Sequence, residues 1–556
     1  MKMVKSLILG SAAGLVAMSG AQAADLPVKA KAVEYVRICS LYGAGFFYIP
    51  GTDTCIKLGG YLRVDTTFNG GVYDAPNWNG SAGGGDRFYD RINSRSRMAL
   101  TVDTRTATEY GVVRTFGQGD FQFNNFGTQN GNTPSTGVGG GIGAAGTSGN
   151  TGFLTAGQLS GLNASLLSSP GGGYVAVEFV FIQFAGFTFG KSASAYATPW
   201  HGYPGNNTSF LIGGHDTVTG VNNIQYSAQF GNGVSGTIGL DDPTVFNRTS
   251  IGYLATFPAT AATATALATN PTSSVSTIGI APNAYAGVHA PDLVGNIRVD
   301  QAWGLFQLSG ALHEVDASYN VLTSAALPTP LSEISGHPET KWGGSVMAAL
   351  QIKNIPTGAG DDIKIDASYS KGDTKNVIST SGASPSFMMF SGSGIAYQSI
   401  GFGATTDAVY LPAFSGGTGD LKLTEAFGVR GAFNHNWDPY WSSSLFGSAS
   451  AVRYKGAVGD LTTAKGQYCL AYGRMAPGQG ATYTCNPDYN VFQVGVVTRW
   501  TPVKNLTFSA EVMYFRLDQN FAGTAVLTPS APKPATVYEF KDQNTVALNV
   551  RVQRNF

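Results

Sequence analysis

The residues with the most chemical capacity in this chain are arginines, lysines and carboxylates set two positions apart. Arg63 with Asp65, Arg95 with Arg97, Asp103 with Arg105, Arg298 with Asp300 and Lys364 with Asp366 share faces of extended segments, because side chains at i and i+2 point the same way along a strand. Lys353, Arg430, Arg499, Arg551, Asp241 and Glu511 fall on equivalent faces, which makes ten basic groups against six acidic ones. Arg63, Arg95, Arg97 and Arg105 come from neighbouring early segments. They either form a basic ladder on one wall or are each neutralised by a carboxylate beside them, and the pattern leaves both open. Fixed charges in such rows sort ions and polar solutes rather than break bonds.

Catalytic and metal chemistry finds little support. The six histidines are His201, His215, His289, His313, His337 and His435, and only His313 sits on the polar face of a strand. No local motif sets a Ser and an Asp beside it, as a nucleophilic site requires. Asp53 and the Asp241-Asp242 pair lack the spacing of a calcium loop. The four cysteines have no C-x-x-C spacing, which removes zinc and redox sites. No enzyme activity, cofactor or bound metal is therefore expected. With 34 basic and 34 acidic side chains and only 12% charged residues, the chain is also neither a basic nucleic-acid binder nor a charged disordered protein.

The elements that must carry these side chains are strands. In NTVALNVRVQRNF, Val546, Leu548, Val550, Val552 and Phe556 take one face and Thr545, Asn549, Arg551, Gln553 and Asn555 the other. The same period of two runs through IKLGGYLRVDTTF and recurs along the chain, although 108–123 and 174–185 alternate poorly. Sixteen such segments lie between 56–69 and 544–556. Short turns such as Gly231-Asn232-Gly233, Trp303-Gly304 and Asn436–Pro439 alternate with long Gly/Ser/Thr-rich connections, among them 124–173, 248–290 and 374–420. Trp303, Trp437, Trp441 and Trp500 cluster beside the short turns. A soluble sandwich also alternates, but an aromatic belt on one rim and long loops on the other mark an all-β, sixteen-stranded antiparallel transmembrane β-barrel over residues 56–556. Phe556, at the end of an alternating strand, fits barrel closure. Lys2, Lys5, the apolar stretch 7–18 and Ala21-Gln22-Ala23 read as a signal peptide over residues 1–23. Residues 24–55 then form an N-terminal segment on the periplasmic side. In an oxidising compartment the local pairs Cys39 with Cys55 and Cys469 with Cys485 are the favoured disulfides; the other two connectivities need distant segments to meet.

Several blocks carry a family resemblance. These are the start Ala24–Lys29, CSLYGAGFFYIPGTDTCIKLGGYLRVD from Cys39, SRSRMALTVDTRTATEYGVVRTF from Ser94, FIQFAGFTFGK from Phe181, NIQYSAQFGNGVSGTIGLDDP from Asn223, and the Phe556 end. The chain resembles the porins of alphaproteobacteria, the group that includes the rhizobial and Brucella porins. The resemblance implies a homotrimer of barrels in the outer membrane of a Gram-negative cell, embedded in its lipids and passing small hydrophilic solutes and ions by passive diffusion. It further implies that the third external loop, here about Thr198 to Gly220, turns inward at the narrowest point. Arg63, Arg95, Arg97, Arg105 and, from that loop, Asp216 are then the candidate constriction residues. Two departures stand out. The connection 124–173 is longer and richer in glycine than the family's usual external loop, and FVFIQF is apolar near Phe179 where the family tends to place a basic residue. A surface adhesin or structural barrel with a plugged pore would show the same alternation and is the rival reading. A specific sugar channel would need an inward aromatic slide, for which Tyr61 alone is insufficient.

Overall fold

In a computed structural model, residues 37–70, 91–124, 174–200, 202–215, 219–244, 248–253, 285–318, 321–322, 328–329, 336–378, 387–413, 416–475, 478–527, 529 and 533–556 are described. The expected signal peptide, the long connection 125–173, His201 and Asp216 lie outside them. The chain divides into two compact units, residues 1–57 and 58–556.

In the first unit a disulfide joins Cys39 to Cys55, with Cα atoms 6.1 Å apart. Phe47–Tyr48 pairs antiparallel with Cys55–Ile56, and the Tyr42 and Phe46 rings pack edge to face over the bridge. Sixteen residues separate the two cysteines, so the bond closes a small loop around very little apolar core.

The second unit is a closed antiparallel barrel. Its strands are β1 (Thr54–Phe68), β2 (Ile92–Thr108), β3 (Gly111–Asn124), β4 (Tyr174–Phe184), β5 (Phe187–Ser192), β6 (Val221–Gly231), β7 (Val234–Asp241) and β8 (Asp292–Gln301). They continue as β9 (Gly304–Val315), β10 (Lys341–Lys353), β11 (Asp362–Lys371), β12 (Glu425–Asn436), β13 (Trp441–Arg453), β14 (Tyr489–Val503), β15 (Leu506–Gln519) and β16 (Gln543–Asn555). Each pairs with its neighbours in sequence, and β16 closes the ring on β1 through Tyr61–Phe68. The sixteen strands fall where the alternation placed them. The fifth and seventh stop early, at Ser192 and Asp241 instead of 197 and 246, because the chain there turns inward or into a loop.

Apolar side chains on the outer face, such as Leu62, Val64, Met98, Leu100, Val494 and Val550, are exposed, as a lipid-facing surface requires. Among the described residues no helix is long and apolar enough to cross a membrane; the apolar exterior belongs to the strands. Every even-to-odd connection is a turn, and at the two-residue turn Asn232-Gly233 both residues have positive φ (49° and 74°). That is the geometry of a type I′ hairpin, which Asn-Gly favours. Trp303, Trp437, Trp441 and Trp500 stand exposed at this rim, with Trp441 stacked on Trp500 and Trp500 tilted against Phe508. At the opposite rim the long connections carry their own structure. A four-stranded and a three-stranded sheet form there, together with helix α1 (Ala464–Met475), which the Cys469–Cys485 disulfide ties down.

Candidate functional site

The inner face divides into two arcs. On one arc, from β16 through β4, charges of opposite sign are interleaved. Asp65 on β1 accepts from Arg95 on β2 at 2.8 Å and from Arg551, its register partner on β16. Arg97 on β2 donates to Asp120 on β3 at 2.8 Å and lies 3.8 Å from Glu178 on β4. Towards the short-turn rim, Asp103 is held between Arg105 at 3.1 Å and Arg114 at 3.0 Å. Arg63 donates to Gln553 Oε1 at 2.8 Å and lies over the Tyr61 ring. The four arginines expected as a ladder do share a wall, and three of them are ion-paired within it. Arg95, Arg97, Asp65 and Asp120 are buried, while Arg63, Arg105 and Arg114 keep partial exposure.

The other arc, β8 through β15, has an inner face that is apolar in places and is covered. After β5 the chain leaves the wall and crosses the interior. Its segment GYPGNNTSFLIGG carries one proline and four glycines, which disfavour any regular element, and buries Phe210, Leu211 and Ile212. Tyr203 and Leu211 pack on Ala432, Phe446, Val497 and Met513; Tyr196 and Trp200 pack on Val294, Ala311, Met347 and Ala349. Wall side chains then fasten the loop's backbone. Asn296 donates to Ala195 O at 2.6 Å, Gln307 to Ala197 O at 2.7 Å, Gln493 to Phe210 O at 2.9 Å and Arg551 to Asn207 O at 2.7 Å. Glu511 accepts from the Thr208 hydroxyl at 2.6 Å.

Arg430 is the deepest anchor. It pairs with Asp366 at 3.0 Å, both side chains fully buried, and donates to His215 O at 3.0 Å. Gly214 lies directly over this pair, and a Cβ there would stand 2.4 Å from Asp366 Oδ1 and 2.6 Å from Arg430 Nη2. Only glycine fits. His215 Nδ1 donates to Asn376 Oδ1 at 2.7 Å, and burial lowers its imidazole from the ordinary 6.5 to about 4, helped by the Arg430 and Lys375 charges.

Above this loop, towards the long-loop rim, the barrel mouth holds a large apolar cluster. Phe210 and Ile212 join Phe387–Phe390, Ile400, Phe402, Tyr468 and Tyr472 of α1, and Tyr489, Phe515 and Leu517 of the wall. Beside it a polar hub ties four external segments together. Asp407 accepts from Thr249 N, Thr374 N and the Tyr285 hydroxyl at 2.7–2.9 Å. The Tyr285 hydroxyl also lies 3.0 Å from His313 Nε2, and His313 Nδ1 is 2.7 Å from Asp292. His313, the one inward histidine of the alternation, is thus a structural link.

Sequence reasoning missed Asp120, Glu178 and Arg114. Arg114, Gln118, Asp120 and Gln122 do alternate, but Gly117 and Gly119 supply no apolar partner on the outer face. A bulge shifts β4, because Gln118 faces Phe179 while Gly119 faces Val177, leaving Glu178 as the extra residue. The bulge turns both Glu178 and Phe179 inward, so the position where the family tends to a basic residue stands beside an acid.

Taken together, the apolar exterior, the polar interior and the in-turned third loop define a transmembrane barrel of the outer membrane. The description "Porin subfamily" belongs to the family whose profile matches residues 25–549, and the chain belongs to that family. Porin Omp2b of Brucella suis biovar 1 is 36% identical over 243 residues, 43% of this chain and 54% of the relative. Porin Omp2b of Brucella melitensis biotype 1 shows the same identity and coverage. The chain thus spans about half the length of these curated relatives. The outer membrane channel DcaP of Acinetobacter baumannii superposes with a TM-score of 0.51 over 92% of this chain and 99% of that one, at 13% identity, which is a likeness of fold.

Proposed function

We propose that the protein is a passive diffusion channel for small hydrophilic solutes and ions, assembled as a homotrimer in outer-membrane lipid. The carrying observation is the third loop. Most of its anchors lie on the arc β8 through β15, Arg551 of β16 fastens Asn207 from the other side, and the arc β16 through β4 is left as the polar side of the constriction. Narrowing against fixed charge sets which ions enter. Near the loop the polar arc presents Arg551, Arg63, Arg95 and Arg97 against Asp65, Asp120 and Glu178, close to balance, so selectivity is mild. Arg63, Arg95, Arg97 and Arg105 act here as constriction residues.

The apolar cluster in the mouth favours a second reading, in which the pore is plugged and the external loops bind or only scaffold. Conductance in planar bilayers separates the two. Stable ohmic steps under a salt gradient support the channel, and a purified, folded trimer that gives none supports the plug. Unheated protein on a detergent gel runs near three times the monomer mass if the trimer forms, and a monomer under mild detergent overturns that part.

A further inference from the structure

Beneath the third loop, on the side of the short turns, a cavity of about 370 Å³ opens between residues 203–206 and strands β11 to β14. Ligand sites for small molecules begin at about this size. Two cations from different strands reach it, Lys364 on β11 and Arg499 on β14. Arg499 is immobilised, donating to Asn207 Oδ1 at 3.1 Å, Ser444 Oγ at 2.8 Å and Gly205 O at 2.5 Å. Lys364 is held only loosely, its amine 3.7 Å from Asp362. Asp362, the carboxylate of the lining, already accepts from Asn434 Nδ2 at 2.5 Å and from Gln351. The lining thus sets two cations, Lys364 and Arg499, against one carboxylate, Asp362, with the ammonium no nearer to it than 3.7 Å.

Across from these cations, Asn206 in the loop gives its amide N–H to Thr208 O at 2.7 Å, while its Oδ1 is buried without a hydrogen-bond partner. A buried acceptor left unpaired is costly, and a hydroxyl donor would relieve it. Ser442 adds a hydroxyl to the same lining. A cationic side and a vacant acceptor side together call for one molecule carrying both a negative group and hydroxyls.

We propose that this cavity is a binding subsite for a small hydroxylated carboxylate of monosaccharide size, such as a sugar acid. Lys364 and Arg499 hold its carboxylate, and Asn206 Oδ1 with Ser442 hold its hydroxyls. The subsite rests on the channel reading only for the route by which the solute arrives. Calorimetric titration of the folded, purified protein tests it with three probes: gluconate, glucose as the neutral analogue, and acetate as the anion without hydroxyls. Gluconate is expected to bind saturably, with glucose and acetate each weaker by about tenfold or more, the worth of a charge-assisted hydrogen bond. Lys364→Gln should weaken gluconate by about tenfold, and Asn206→Ala by about threefold with acetate unaffected. Should Lys364→Gln fail to fold, the loop variant and the ratio among the three probes decide. Absence of saturable gluconate binding, equal binding of all three probes, or indifference to both substitutions overturns the subsite. Conductance is read on the same preparation. A conducting protein that ignores gluconate rejects the subsite alone, and one that binds gluconate without conducting rejects the channel alone.

Discussion

The two arcs of the inner wall solve the same problem by different means. Polar groups in a barrel interior must be paired, and space must be either filled or left to solvent. The arc from β8 to β15 is filled. Its apolar positions receive Tyr196, Trp200, Tyr203 and Leu211 of the third loop, and its buried pair Arg430–Asp366 is sealed under Gly214. The arc from β16 to β4 is paired strand to strand, with Asp65 between Arg551 and Arg95 and Arg97 between Asp120 and Glu178, and among the described residues carries no comparable apolar cover. The first arc determines where the loop sits. In the proposed channel, the second sets what passes in front of it.

The largest effect is expected from removing Arg430. Arg430→Met leaves Asp366 charged, unpaired and fully buried, which costs about 3–5 kcal/mol, and releases the loop at His215 O. Urea titration of the folded barrel should show the loss, and adding Asp366→Leu should restore most of it. An Arg430→Met protein as stable as wild type would mean that the covered arc does not hold the loop.

Next comes Phe387→Ala in the external cluster, where the ring is fully buried against Tyr489 and Phe515. Truncation there should cost about 3 kcal/mol and speed external proteolysis, while leaving ion selectivity at its wild-type value. A changed reversal potential would show that the external cluster and the charged arc are not independent.

Smaller in energy but more specific is Arg95→Ala with Arg97→Ala. Asp65 keeps Arg551, whereas Asp120 and Glu178 lose the arginine beside them, so reversal potential under a salt gradient should move towards cations. No movement would place the constriction elsewhere.

The effect confined to the narrowest range of conditions is on pH. His215 is held neutral by burial, with its pKa at about 4 against 6.5 when free. The unfolded chain therefore binds the extra proton first, and the loop anchor has its full stability above about pH 6.5 and loses it progressively as pH falls towards 4. Melting curves across that window should show the loss, and His215→Gln should flatten it.

Much of this was legible in the residues themselves. Side-chain alternation located the strands, least clearly 108–123 and 174–185, since lipid outside and polar groups inside impose a period of two wherever no bulge or glycine interrupts it. The tight turns declared themselves through Asn232-Gly233 and the tryptophans beside them. The inward arginines were legible as inward, but their roles were not. Arg430, Arg499 and Arg551 proved to be fasteners of the third loop, and Arg551 meets Asn207 across 344 residues of chain. No local pattern encodes such a meeting. Glu178 was hidden for another reason, because one bulged residue inverts the parity of everything after it on β4.

Closure of the ring has a consequence for biosynthesis. Arg63 meets Gln553 across 490 residues, and β16 must pair with β15 on one side and β1 on the other. Every nascent chain shorter than about Gln543 therefore has two open edges of unpaired amide and carbonyl groups, templates for pairing with other chains. Joining ends so far apart is also the contact with the greatest chain-entropy penalty, and the slowest to form. Escort of the chain to its membrane has to last until the final strand is available, and a truncated product should accumulate as aggregate rather than as a smaller pore.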